Sequence, residues 1–427
     1  MMGNNSLYYK NTETEKQIKK VQEEKKRKAK SNDTYKTYSS TISYGTGNNI
    51  DNNFNYYEKN YPNTVYYGTS TYTKTSYPYY DDSNLKSKDL KKEEYITNVN
   101  TINTSNQTLC GIENIGNNCY LNSGLQILAR CSSFVEKLQV FYSANYPFIA
   151  LLYDAFINLL TKKEHYNPLP FVNKFCSINK EFNVGEQSCS QNFIRTVLNN
   201  VNHEIVPSNI NVIKSYINYS PKDLKEKNSY NYYIKQNQIL PESEALSVFS
   251  GILKSHIKGT CKKCGNSIDN YSFCYFIDQN MYLDSIFKPC YFDQVIKENI
   301  SNNDAIMDCQ KCDGKVKIEE KTKIAKLPEI LIFTLERYLN GTNNIKVIPN
   351  EVLELKPYID DNLSTDSTKY DLFAKNIRFG STKKYGHEIC QIKIDSKWYE
   401  FNDSTISLKK YDHDDCTYGL FYKKRKK

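Results

Sequence analysis

GIENIGNNCYLNSGLQILARC, residues 111–131, opens as a turn rich in Gly and Asn and runs straight into an amphipathic stretch. Leu121, Leu125, Leu128, Phe134, Leu138 and Phe141 recur at mostly helical intervals, which predicts a helix whose first residue is Cys119. A thiol in a first helical turn feels the positive end of the dipole and the unpaired N–H groups there, and both favour thiolate. Asn114, five residues earlier in the turn, is positioned to present an amide to an oxyanion. The plainer alternative is a buried cysteine opening a core helix. The flanking glycines, Asn114 and the open turn weigh against it.

A second stretch, YGHEICQIKIDSKWYEFNDSTIS at 385–407, alternates as strands do. A turn near Asp395–Lys397 sends the chain back through Trp398–Phe401, which sets His387 roughly opposite residues 404–405 and close to Asn402. A Cys–His–Asn set needs such a placement: an imidazole at an open strand end, oriented by an amide or carboxylate. His387 is one of five histidines; His165, His203, His256 and His413 fall in polar loops or on helix flanks and are expected to be solvated. A third feature is the pair CKKC at 261–264 and CQKC at 309–312, with 44 residues between them. Two CxxC knuckles, each followed by a turn glycine (Gly265, Gly314), suit a closed tetrahedral zinc site that braces the fold. A redox CxxC is the competing reading, and β-rich sequence between the pairs favours the metal.

The rest of the chain frames these features. The 427 residues carry a net charge of +9 and a mean hydropathy of −0.68. Residues 1–107 contribute +4 and Lys423 to Lys427 contribute +5, so residues 108–422 are neutral and a body-wide nucleic-acid surface is not expected. Residues 1–107 hold no Cys or Trp and one Phe, and read as a disordered Asn/Tyr/Ser/Lys-rich tail that cannot bury enough apolar surface to offset its ordering entropy. Within it TEKQIKKVQEEKKRKAK is compatible with a solvated helix, and 15 tyrosines with the basic run leave a partner- or RNA-binding arm open. No apolar run reaches the ~18 residues of a membrane span, and MMGNNSLYYK has no signal-peptide core. Thirteen cysteines without a secretory signal point to a reducing compartment, hence the cytoplasm or nucleus. Helix-like runs such as PFIALLYDAFINLL, PFVNKFC and NFIRTVLNNV precede period-two segments from about Cys261 onward. The body is therefore expected to be α+β with segregated elements.

At these residues the sequence resembles the ubiquitin-specific proteases, papain-like cysteine deubiquitinases that carry a zinc ribbon. The resemblance covers about residues 108–422 in the family's order: the cysteine box at 111–128, the CxxC pairs, LPEILIFTLERY, IKVIPNEVLEL, the histidine box at 385–407 and the closing TYGLFYKKR. It implies a helical thumb, a β palm and zinc-ribbon fingers at about 258–320, with residues 423–427 left as a basic tail. It also implies Cys119 as nucleophile, His387 as general base, Asn402 orienting the imidazole, Asn114 as oxyanion donor and Asp403 as a supplement to or replacement for Asn402. Cys261, Cys264, Cys309 and Cys312 would hold one structural zinc ion. The implied reaction is hydrolysis after ubiquitin's C-terminal glycine, in a protein expected to be monomeric, with ubiquitin or ubiquitinated proteins as partners. Departures from the family pattern are Cys189 and Asn192 in EQSCSQNF, where an Asp and a Glu usually contact ubiquitin's arginines, Glu388 in place of Tyr, and Phe379 in place of His. Each lost charge-assisted contact costs on the order of 1.5–3 kcal/mol. They leave open a protease for another ubiquitin-like modifier and a non-catalytic ubiquitin-binding scaffold. A zinc-ribbon nucleic-acid binder is disfavoured by the neutral body.

Overall fold

The computed structural model describes residues 108–206, 219–237, 243–300, 303–309, 311–338, 343–380, 385–410 and 416–426. The tail expected at 1–107 lies outside them, as do His413 and Lys427. Helices come first: α1 (Cys119–Ala129), α2 (Ser132–Val140), α3 (Pro147–Thr161), α4 (Leu169–Ile178), α5 (Ser190–Ile205) and α6 (Leu224–Asn237). The apolar period from Leu121 to Phe141 serves two helices, because the chain tightens at Arg130 and Cys131, whose N–H groups bond the carbonyls of Ile127 and Leu128. Every residue of α1 is buried. Gly124 lets α5 approach it, since a Cβ there would lie 2.5 Å from the Phe193 ring.

Strands follow: β1 (Gly251–Cys261), β2 (Ser267–Phe276), β3 (Asp278–Tyr282) and β4 (Cys290–Tyr291), then helix α7 (Phe292–Ile300). After it come β5 (Asn303–Asp308), β6 (Lys315–Lys326), β7 (Ile330–Glu336), β8 (Val347–Ile348), β9 (Val352–Glu354), β10 (Lys369–Phe379), β11 (His387–Ile394), β12 (Lys397–Asn402), β13 (Thr405–Lys409) and β14 (Thr417–Lys424). The β half begins at Gly251, earlier than alternation predicts, because the first residues of β1 are mostly buried and show no period of two. α6 also escapes the sequence pattern, for it carries little apolar stripe. It is held instead by Glu226, buried between the Tyr219 hydroxyl and Lys254.

The main sheet has eight strands in the order β13-β12-β11-β10-β14-β7-β3, with β9 beside β10. The β3–β7 pairing is parallel and the other pairings are antiparallel. Alternate residues feed two cores. Ile330, Ile332 and Phe421 join the core of α1 to α5, and Leu331, Phe333, Leu420 and Tyr422 join a second core with α7. That double burial explains why EILIFTL reads as a continuous apolar run. Fully burying side chains such as Leu121 and Leu125 contributes about 1.5–3 kcal/mol each. The central sheet thus has an apolar layer on both faces.

A smaller sheet runs β2-β1-β6-β5. Among the described residues, Lys258–Ile268 and Asp304–Glu319 form a compact unit of their own. The fingers expected at 258–320 are therefore discontinuous: β3 pairs with β7 in the main sheet and α7 sits in its second core, so 269–303 belongs elsewhere. The basic tail expected at 423–427 is corrected too. Lys423 and Lys424 end β14, paired to Ile330 and Tyr370, and Arg425 bonds the Asp371 carboxylate. Among the described residues, no helix is long and apolar enough to cross a membrane.

Candidate active site

The turn before Cys119 has the shape its glycines and asparagines suggest. A Cβ on Gly111 would lie 2.4 Å from the Ser404 carbonyl oxygen, so only glycine allows that crossing. Gly116 and Asn117 take positive φ, +118° and +53°, and turn the chain into Asn118. The Asn118 side chain looks back into the turn: its Oδ1 accepts from Ile115 N–H at 2.8 Å and its Nδ2 donates to Asn122 Oδ1 at 2.8 Å. Asn118 therefore leaves the α1 N-terminus uncapped, and no acid stands in its first turn. Cys119 opens the helix beside those N–H groups.

The histidine box folds as expected. Asp395 and Ser396, at φ of +47° and +65°, make a two-residue turn between β11 and β12. The register runs from Ile394 opposite Lys397 to Cys390 opposite Phe401, which sets His387 at the open start of β11 and Asn402 at the end of β12. Asn402 Oδ1 lies 2.8 Å from His387 Nε2, so Nε2–H donates to it and Nδ1 is left for Cys119. The imidazole is pushed up to about 9, chiefly by its hydrogen bond to Cys119; burial opposes this, and Asn402 supports it. The backbone N–H of Glu388 donates to Cys119 Sγ at 3.5 Å. Cys119, His387 and Asn402 thus form one hydrogen-bonded chain.

Asp403 supplements Asn402 and does not replace it: its charge helps to raise the imidazole, while its two oxygens accept from Asn114 Nδ2 and Asn122 Nδ2, each at 2.8 Å. Its main-chain oxygen accepts from Ile112 N–H at 2.9 Å. Asp403 ties the β12–β13 turn to the turn before α1 and orients Asn114. One Nδ2 hydrogen of Asn114 remains for an oxyanion. Sequence reasoning missed Asn118 and Asn122, although their spacing of four on one helix face was a signal. Of the other histidines, His165 and His203 are exposed, as expected. His256 is not solvated: its ring stacks on Tyr271 at 4.0 Å and pairs with Asp269.

At the start of α5, Cys189 is buried and Asn192 is exposed beside Arg195. Arg195 is itself clamped by Asp278. Burial pushes the Cys189 thiol up, and the nearby Glu388 carboxylate adds to that. Arg378 and Arg195 oppose this shift without cancelling it, so an acid at 189 would join the Glu388 carboxylate in one buried site. Cys189→Asp should lower the melting temperature at pH 8 by several degrees, on the order of 1–3 kcal/mol, because two carboxylates share one buried site. The raised carboxyl pKa makes the cost shrink as pH falls toward 5, and Glu388→Gln in the same chain should relieve it. Thermal melts of the single and double variants at both pH values check this.

The four knuckle cysteines converge inside the small unit. The Sγ atoms of Cys261, Cys264, Cys309 and Cys312 all lie within 4.8 Å of one another, with Cys261–Cys312 and Cys264–Cys309 each at 3.6 Å. Gly265 turns at φ +70°, and a Cβ on Gly314 would crowd two of the sulfurs at 3.1 and 3.2 Å. Lys311 and Gly314 N–H groups donate to Cys309 and Cys312, each at 3.4 Å. Such a cluster can hold a metal ion, and a redox reading, which needs only one pair, leaves the convergence unexplained.

A family model described as ubiquitin carboxyl-terminal hydrolase matches residues 110–422. Drosophila melanogaster "Ubiquitin carboxyl-terminal hydrolase Usp2" is 26% identical over 350 residues, which cover 76% of this chain and 36% of that protein. Caenorhabditis elegans "Ubiquitin carboxyl-terminal hydrolase 46" is 23% identical over 363 residues, 75% of this chain and 84% of the relative. The chain thus spans little more than a third of the Drosophila protein. Among solved structures, "Structure of the SAGA Ubp8/Sgf11/Sus1/Sgf73 DUB module bound to ubiquitin aldehyde" superposes with a TM-score of 0.55 at 19% identity, covering 76% of this chain and 71% of that one. That likeness supports the thumb, palm and fingers architecture.

Proposed function

The chain belongs to the ubiquitin carboxyl-terminal hydrolase family, and from that premise we propose that it is a cysteine-type deubiquitinase. It hydrolyses the isopeptide or peptide bond after ubiquitin's C-terminal glycine through a thioester on Cys119. The observation that carries this reading is the hydrogen-bonded chain from Cys119 through His387 to Asn402. The Cys119 thiolate attacks the glycine carbonyl while Asn114 and the helix N-terminus stabilise the oxyanion. His387 gives its proton to the leaving amine, then takes one from the water that cleaves the thioester. Asn402 keeps Nε2 occupied, so Nδ1 exchanges the proton.

Zinc fits the cysteine cluster. Four thiolates at about 2.3 Å from a tetrahedral ion stand about 3.8 Å apart, near the 3.6 Å pairs here. The ion would brace the small unit and take no part in the chemistry. A second reading, hydrolysis of a different ubiquitin-like modifier, is supported by the buried Cys189 and uncharged Asn192 where the family carries acids.

The raised imidazole makes a pH test direct. His387 stays protonated until about pH 9, so turnover of a ubiquitin C-terminal amide should fall above that pH as the proton for the leaving amine is lost. Asn402→Ala should lower kcat by about tenfold to a hundredfold and move the alkaline limb down, because the hydrogen bond it removes favours the protonated ring. An alkaline limb unmoved in that variant, or a wild type without turnover at any pH, contradicts the assignment.

A further inference from the structure

The ion pair Arg378–Glu388 is adjacent to the general base yet enters none of these steps. Glu388 is 1% exposed and Arg378 2%. The two face each other in the β10–β11 register. Arg378 N–H bonds the Cys416 carbonyl on the far side of β10, so 378 and 388 form a non-hydrogen-bonded pair, with side chains close and N–H groups turned outward. Among the described residues no strand lies outward from β11 at 388, because pairing with β12 begins at Cys390. The Glu388 N–H meets the Cys119 sulfur instead. One carboxylate oxygen takes Arg378 Nη1, and the other accepts the Ser190 backbone N–H at 3.1 Å. Ser190 opens α5, whose N-cap residue Cys189 makes no side-chain cap bond, so Glu388 caps that helix from another element. Arg378 Nη1 closes the ring on the Ser188 carbonyl at 3.3 Å.

A carboxylate buried this deeply is fixed by its partners, and each of the two Glu388 oxygens has one. The same residue carries the N–H that touches sulfur. We propose that Glu388 is a positioning residue, its locked carboxylate holding its own N–H on Cys119 and fixing the start of α5 against the nucleophile. This rests on Cys119 being the nucleophile. The titratable and charged groups around the thiol and this pair are His387, Asp403, Tyr120, Cys176, Cys189, Arg195, Tyr338 and Tyr418, the two tyrosine rings lying against the Arg378 guanidinium. The Arg378–Glu388 pair allows the sign of the local charge to be changed without altering His387 or the turn that holds Asn114.

The test uses the full chain with Glu388→Gln, Arg378→Met and the double Arg378→Met/Glu388→Met. Two readouts are taken: the pH dependence of Cys119 alkylation by iodoacetamide, which needs no ubiquitin, and kcat and KM on a fluorogenic ubiquitin C-terminal amide. Glu388→Gln leaves Arg378 without its carboxylate and should move the alkylation midpoint down. Arg378→Met leaves the carboxylate without its cation and should move it up, and the double should return it to the wild-type value. In all three kcat should fall by about tenfold to a hundredfold, with KM within about twofold. Midpoints that do not move in opposite directions, or a double variant with wild-type kcat, overturn the proposal. Should the single variants fail to fold, the charge-neutral double decides alone: a reduced kcat at an unchanged midpoint supports the role, and a wild-type kcat ends it. A wild type alkylated at Cys119 that cleaves no ubiquitin amide sinks the substrate reading, while the alkylation series still decides the role of Glu388.

Discussion

Cys119→Ala is expected to reduce turnover of ubiquitin conjugates by on the order of 10⁵-fold or more while leaving their binding within about twofold. The size follows from the absence of a substitute among the nearby cysteines. Cys189 is buried and its thiol pushed up by burial; burial pushes Cys131 to about 12 and raises Cys110 and Cys390 as well. None of these begins a helix next to an imidazole, as Cys119 does. Binding survives because the substitution trims one small side chain inside a turn whose shape depends on Gly116, Asn118, Asn122 and Asp403. Turnover is read on a fluorogenic ubiquitin amide and binding by anisotropy. Cleavage retained in the variant removes Cys119 as the nucleophile.

The second large effect is expected from metal removal. Among its described residues, the small unit of Lys258–Ile268 with Asp304–Glu319 has almost no apolar core: Ile268, Val316 and Ile318 are the buried aliphatic ones beside the thiols. A unit that small cannot offset its own ordering entropy by burial, so ligand bonds have to hold it, and structural zinc supplies an apparent ~10–16 kcal/mol in comparable small folds. Exhaustive chelation, or Cys261→Ser, should therefore collapse amide-exchange protection in β5 and the knuckles. Protection in β7, β10 and β14 should persist, because those strands carry apolar cores on both faces. One equivalent of zinc should be released per chain. Knuckle amides that stay protected after chelation contradict the role assigned to the four cysteines.

Much of this site was legible because its parts are local. The turn before Cys119 announces itself through Gly and Asn, and the β11–β12 hairpin through alternation and a tight turn, so the His387–Asn402 neighbourhood follows from counting along two strands. The CxxC spacing is a chemical signature independent of the fold. What stayed hidden depends on tertiary partners. Asp403 sits where the sequence suggests a partner for histidine, but Asn114 and Asn122, 289 and 281 positions away, claim its oxygens. Glu388 reads as a departure from a family pattern until the register brings Arg378 opposite and Ser190 beneath it. The early start of β1 was masked because burial on both faces erases the period of two. α6 was missed because a buried Lys254–Glu226 pair, and not an apolar stripe, anchors it.

The central claim is that Cys119, activated by His387, attacks the carbonyl after ubiquitin's last glycine. Ubiquitin carrying a C-terminal electrophile, incubated with wild type and Cys119→Ala and read by intact-mass spectrometry, tests it most directly. The account predicts a single covalent adduct on the wild type, localised to Cys119, and none on the variant. An adduct on another cysteine, or none on a folded, zinc-loaded wild type, would contradict it.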